Sequence, residues 1–201
     1  MENYSQELLA QDSRAKFPGE LLLKVERFGL TGFNRLEWAK AKLPFAYRFI
    51  RKIGTWGMKR YHFGQVIPLE DAEKIMDLVQ SITRLPCVCR KAVSGNNNAR
   101  FCLAFGIDPT GLLAGYPDTK ANLETLSSEQ AKELLREFDK AGLVHSIWTF
   151  KTPFIGGMCN CDNDCLAYKT QITSDLMQVM FKAEYIAAIE PLDCNGVNRY
   201  F

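Results

Sequence analysis

Gly156-Gly157-Met158-Cys159-Asn160-Cys161-Asp162-Asn163-Asp164-Cys165 places three cysteines within seven residues, as C-x-C-x3-C, directly after a flexible glycine pair. A second knot stands upstream, Cys87-Val88-Cys89 with Cys102, and a seventh cysteine, Cys194, lies near the end. Seven is an odd count for a disulfide framework, and the two sulfurs of a C-x-C pair are poorly placed to bridge each other. Clustering also argues against inert core thiols, which do not need to be neighbours in sequence. Metal or cluster ligation remains, and the rest of the chain is read as what carries the two knots.

Immediately upstream, Ser127-Ser128-Glu129-Gln130 fits a capping box, with Ser127 and Gln130 as its reciprocal partners. Ala131, Leu134, Leu135 and Phe138 then recur at helical spacing, and Gly142 is a natural C′ residue. Leu143 to Trp148 reads as a strand, and Phe154-Ile155-Gly156-Gly157 turns the chain into the central knot. Further back, Gly64-Gln65-Val66-Ile67-Pro68 is short and extended. Leu69 to Thr83 reads as a helix with Ala72, Ile75, Met76, Val79 and Ile82 on one face and Glu70 and Asp71 in its first turn. Leu85-Pro86 ends that helix, which is expected to deliver Cys87 and Cys89. Residues 91–101 read as a polar loop, and 108–119 as an irregular stretch rich in Gly and Pro.

Downstream of the central knot, Asp175 to Lys182 is expected to be helical through Leu176, Val179 and Met180, and Glu184 to Glu190 a strand stopped by Pro191. At the other end, residues 1–19 look poorly ordered and Glu20 to Phe28 reads as a helix stopped by Gly29. Thr31 is placed to cap a second helix carrying Phe33, Leu36, Trp38 and Ala41, ended before Pro44. Phe45 to Ile53 mixes aromatics with Arg48, Arg51 and Lys52. Such a segment can lie on a membrane or a partner; the plainer expectation is that it packs its aromatics inward and snorkels its cations. Trp38, Trp56 and Trp148 are expected in the core.

The fold class expected is α+β, helix-dominated, with a few short strands near 143–149 and 184–190 and two cysteine-bearing loops. Helices 69–83 and 128–141 should pack together and bring the knots into one region. Residues 1–63 form an N-terminal helical, basic region and 64–201 a cysteine-rich, iron–sulfur or metal-binding domain. Net charge is only +2, yet residues 1–60 hold twelve Lys and Arg against six Asp and Glu. That imbalance suits an acidic partner or a solvated helical face. No apolar run approaches the roughly 20 residues of a membrane span, and Met1 to Glu7 shows no leader pattern, so the expected location is cytoplasmic.

Thiolates are soft ligands, and clusters of them select zinc, copper(I) or iron–sulfur. Structural zinc prefers C-x2-4-C pairs, so C-x-C fits it less well. Iron–sulfur clusters take about four thiolates at more varied spacings. Arg90 and the Gly156 and Gly157 amides are placed to offset a cluster's negative charge. Asp162 and Asp164 are carboxylate candidates, with a solvated loop as the plainer reading. His145 is a possible ligand or proton carrier, more simply a packed, hydrogen-bonded histidine.

Several ordered motifs then carry a resemblance. Val66-Ile67-Pro68-Leu69-Glu70-Asp71-Ala72, Leu85-Pro86-Cys87-Val88-Cys89-Arg90 and Cys102-Leu103-Ala104-Phe105-Gly106 resemble the front part of ferredoxin-like 4Fe-4S cluster-binding proteins of anaerobic bacteria and archaea. Gly142-Leu143-Val144-His145, Gly156-Gly157-Met158-Cys159-Asn160-Cys161 and Phe181-Lys182-Ala183-Glu184-Tyr185-Ile186-Ala187 continue it, over about residues 64–196. The family's C-terminal C-x2-C-x2-C-x3-C-P module is lacking: Cys194 stands at its first cysteine, and Val197 takes the place of the second. The resemblance implies a 4Fe-4S or other metal site built from Cys87, Cys89, Cys102, Cys159, Cys161 and Cys165, with Cys194 a vestige or a recruited ligand.

Three function classes follow. The first is an iron–sulfur protein in electron transport, a carrier or redox-enzyme accessory rather than an enzyme, docking a redox protein partner. The second is a zinc-stabilised or redox-sensing binding module. Residues 128–145 resemble the end of a winged helix, but Glu129, Glu133, Glu137 and Asp139 nearly cancel Lys132, Arg136 and Lys140, so nucleic acid is not an expected partner. The third is an enzyme with an open-site cluster near His145 or Asp164. No Gly-rich phosphate loop or serine-nucleophile elbow supports an organic substrate.

Overall fold

The computed structural model of the chain describes residues 29–61, 64–106, 123–149 and 155–184. The expectations for residues 1–28, for 108–119, for a strand at 185–190 and for Cys194 lie outside the described residues.

A seven-stranded mixed sheet organises the molecule. In chain order the elements are helical residues 29–42 (α1), Pro44–Tyr61 (α2), Gly64–Val66 (β1), Leu69–Leu78 (α3), Ile82–Leu85 (β2), Val88–Ser94 (α4), Cys102–Phe105 (β3), Glu124–Leu126 (β4), Ser128–Lys140 (α5), Val144–Trp148 (β5), Gly157–Cys161 (β6), Leu166–Tyr168 (α6) running into a π-helical turn at Lys169–Thr173, and Met180–Phe181 (β7). The strand order is β4-β2-β3-β6-β5-β1-β7. Every pairing is antiparallel except β1 with β7. The α+β class therefore holds, with helices the larger part.

Strand alternation gives the sheet two chemically distinct faces. On one face Ile82, Leu103, Phe105 and Met158 pack with Ala72 and Met76 of α3 and Ala131, Leu135 and Phe138 of α5. The two helices are also tied across their exposed edges, Arg136 to Glu73 at 2.6 Å and Lys132 to Asp77 at 2.6 Å. The capping box of α5 is complete, with Ser127 Oγ accepting from Gln130 N–H and Gln130 Oε1 from Ser127 N–H. Gly142 takes φ 79°, the left-handed conformation its C′ position calls for. The opposite face carries Cys159, Cys161, Trp148 and, around them, Cys165, Tyr168, Val179 and Met180. Helices α1 and α2 close over this side, with Phe33, Ala39 and Tyr47 packed against Leu166, Leu176 and Cys89.

Several elements differ from the sequence reading. Helix α3 stops at Leu78, and Ile82 and Thr83 belong to strand β2, where both are buried. The β-branched pair fits the pleated surface better than another helical turn. A strand, not a helix, therefore delivers Cys87. Residues 91–94 are the body of α4 rather than a loop, closed by Gly95 at φ 69°. Residues 175–179 are not helical: Asp175 sits at φ 43°, and the N–H groups of Val179 and Met180 both donate to Gln171 Oε1. Leu176, Val179 and Met180 are buried all the same. Thr31 does not cap α1, because residues 29 and 30 are already helical. Trp148 is in the core, whereas Trp38 and Trp56 are exposed, as are Phe45, Phe49 and Ile53.

Candidate metal centre

The cysteines are not on two loops. Cys87 is the residue before the first turn of α4 and Cys89 lies within that turn. Cys102 opens β3, Cys159 and Cys161 lie on β6, and Cys165 precedes α6. The i, i+2 spacing on β6 sends both of its sulfurs to one face, and register places Cys102 directly opposite Cys159. Pro86 ends β2, and Cys87 N–H then donates to Ala99 O at 2.8 Å, folding the first knot back on the sheet. After β6, a tight turn in which Asp164 N–H donates to Asp162 Oδ1, and Cys165 N–H to Asp162 O, swings Cys165 back. Cys87 Sγ lies 3.4 Å from Cys102 Sγ, and Cys161 Sγ 3.1 Å from Cys165 Sγ. All six are free thiols, with Cys87, Cys161 and Cys165 buried and the other three half-buried.

Each of the six thiols is electrostatically tied to others of the group. Cys102 is held well below the ordinary thiol range by its bonds with Cys159 and Cys87, against the opposing effect of burial. Cys165 is likewise held well below it by Cys161 and Cys89, with the backbone N–H groups of Tyr168 and Ala167 adding to them. Their neighbours move the other way. Cys87 is raised by its bond to Cys102 and by burial, Cys89 by its bond to Cys165 and by burial, and Cys159 by Cys102 and Cys161. Cys161 is lowered by Cys159, but its bond to Cys165 and its burial outweigh that. Crowded thiols cannot all ionise without positive charge among them.

Part of that charge is Arg90. Its buried guanidinium sits 3.7 Å from Cys87 Sγ through Nη1, which also donates to Asn160 O at 3.2 Å. Nη2 lies 2.7 Å from Asp162 Oδ1, an ion pair outside hydrogen-bond alignment. Its carbon is 4.2 Å from the Phe101 ring centroid. Burial disfavours the cation, but Cys87 and Asp162 attract it more strongly, and its pKa is raised. Phe101 N–H donates to Cys87 Sγ at 3.0 Å. The Gly156 amide, by contrast, donates to Trp148 O and is not available to a sulfur.

His145 is not among the sulfurs. It pairs with Asn160 across β5 and β6, and Asn160 faces away from Cys159 and Cys161. His145 Nδ1 meets Asn160 Oδ1 at 2.6 Å, and Nε2 lies 3.8 Å from Asp139 Oδ1. It is a packed histidine on the helical face. Asp162 serves as the counter-ion of Arg90, and Asp164 lies exposed in the turn. Asn160, Phe101 and the Ala167 and Tyr168 amides escaped the sequence reading. The C-x-C alternation on a strand was the signal for Asn160; the amides have no side-chain signature.

Among the described residues, no group of three or more His, Cys, Asp and Glu side chains is arranged to hold a single metal ion. The Cys87–Cys102 and Cys161–Cys165 sulfur pairs are closer than the roughly 3.7 Å edge that Zn–S bonds of about 2.3 Å impose on a tetrahedral site. Comparison with protein-family models, with curated proteins and with solved structures finds no match to this chain.

Proposed function

We propose that the six-cysteine centre holds an iron–sulfur cluster of the 4Fe-4S type, and that the protein passes electrons to or from a redox partner protein. The observation that carries this reading is the meeting of six thiols from four parts of the chain on one side of the sheet. The donor chemistry suits it: about four thiolates are needed, and six thiols are gathered here. The surroundings fit as well, with amide N–H groups on Cys87 and Cys165 and a buried guanidinium beside Cys87. Hydrogen bonds to sulfur, burial and nearby charge are the means by which a protein sets a cluster's potential. The bound group would supply one-electron chemistry. The chain's own part is to hold the ligands, exclude water with Trp148, Tyr168, Val179 and Met180, and balance charge through Arg90.

The test is iron, zinc and acid-labile sulfide analysis with visible absorption, on protein purified without oxygen. About four iron and four sulfide per chain, lost in the Cys102→Ser and Cys165→Ser variants, is the expected result. Stoichiometric zinc without sulfide would instead make the centre a structural or regulatory zinc module.

A further inference from the structure

Helix α2 is seated on the sulfur side by one of its faces. Tyr47 donates to Leu176 O, Thr55 Oγ1 accepts from Gln178 N–H, the Met177 side chain reaches Gly54, and Met58 packs beside Val179 and Met180. The face turned away is not polar. Phe45 is 89% exposed, Phe49 67%, Ile53 52% and Trp56 61%. Their spacing of i, i+4, i+8 and i+11 makes one stripe about 16 Å long at 1.5 Å per residue. Trp38 of α1 is a further exposed indole, at 59%.

The charge beside this stripe has one sign. Pro44–Tyr61 contains Arg48, Arg51, Lys52, Lys59 and Arg60 and no Asp or Glu. Arg51 is spent on Asp175 at 2.6 Å. At 100° per residue, Arg48, Lys52 and Lys59 fall along one flank of the stripe. No helix among the described residues is long and apolar enough to cross a membrane. Large aromatics projecting from a convex helix, with cations beside them, match a surface that is fluid, apolar beneath and negative on top. A folded partner would need a pocket for each ring; a bilayer needs none.

We propose that α2 is a membrane-surface helix that lies in the plane of an anionic lipid interface. Phe45, Phe49, Ile53 and Trp56 enter the acyl boundary, and Arg48, Lys52 and Lys59 meet lipid phosphates. Each cation brought to the surface contributes roughly five-fold to partitioning, and each buried aromatic roughly ten-fold.

The experiment is co-sedimentation of the full chain with vesicles of phosphatidylcholine containing phosphatidylglycerol, and with phosphatidylcholine alone, across a salt series. Salt-sensitive binding to the mixed vesicles is expected. The double variant Phe45→Ser/Phe49→Ser should bind roughly a hundred-fold more weakly. The triple variant Arg48→Gln/Lys52→Gln/Lys59→Gln leaves the aromatics in place and should lose the salt dependence. All of these side chains are exposed, so the melting temperature of both variants should match that of the parent. Absence of binding by the parent chain overturns the proposal, as does binding indifferent to both variants. Self-association, or capture of an acidic protein, through the same residues without vesicle binding overturns it too.

Discussion

At Arg90 a single side chain serves four neighbours: Cys87 Sγ, Asn160 O, Asp162 and the Phe101 ring. Removing a buried charge strands its partners, which is the costly direction. Asp162 is part-exposed, so solvent recovers some of its loss. Arg90→Leu should therefore destabilise the chain by about 2 kcal/mol, read from denaturant midpoints at unchanged slope. Arg90→Lys keeps the charge but cannot span Asn160 O and Asp162 with one planar group, and should recover only part of the loss. If Arg90→Leu leaves the midpoint in place, its contacts are incidental. In protein that holds a cluster, the same variant should lower the reduction potential, because a nearby cation favours the reduced, more negative state.

Among the elements, those with local chemistry were legible. Ser127, Gln130 and Gly142 announced both ends of α5, and Val144 to Trp148 announced β5. The elements that differ from expectation depend on distant partners. Leu176, Val179 and Met180 are spaced as on a helix, but Gln171 Oε1 takes their segment's N–H groups, and β1 pairs with Met180 and Phe181 instead. Gly64 likewise has a reason that no local pattern shows. A Cβ there would stand 2.5 Å from the Trp148 ring, whose Nε1 is fixed on Ser146 Oγ. Gly64→Ala should cost roughly 1–3 kcal/mol by overpacking and perturb the near-UV signal of Trp148; an unchanged melting curve would show that the ring moves freely. One tie between α2 and residues 175–179 is Tyr47, whose hydroxyl donates to Leu176 O. Burial raises its pKa, Arg51 opposes this and Asp175 adds to it. The sign follows: with the folded pKa above the unfolded one, Tyr47 contributes stability that is complete below about pH 10 and is lost as pH rises through the folded value. Tyr47→Phe should cost about 1 kcal/mol at neutral pH. Above pH 10 its stability should fall less steeply than the parent's, and parallel curves would remove Tyr47 from the titration.

Across the whole molecule, the gathering of Cys87, Cys89, Cys102, Cys159, Cys161 and Cys165 was legible from clustering alone, but the device that gathers them was not. Helices α3 and α5 do pack together, yet on the face opposite the sulfurs. Pairing of β3 with β6 is what brings the knots together. Met158 to Cys161 contains no β-branched residue, so its strand carried almost no local signal. This division into a helical face and a sulfur face has a consequence for stability. The helical face has a continuous apolar core of its own. The sulfur face is held by smaller clusters that include the cysteines themselves, with α1, α2 and the 165–180 segment resting on them. A group bound by thiolates from α4, β3, β6 and the residue before α6 stabilises only the state in which those parts have met. At a thousand-fold excess over its dissociation constant it contributes about 4 kcal/mol, or roughly 10 °C in melting temperature. In protein that holds such a group, removing it with chelator and oxygen should lower the melting temperature by that order. The loss should also be local: hydrogen exchange should quicken first in α4, α6 and α2, while amides of α3 and α5 stay protected. Equal loss of protection on both faces would mean that the sheet unfolds as one unit and that the sulfurs are not the keystone of their side.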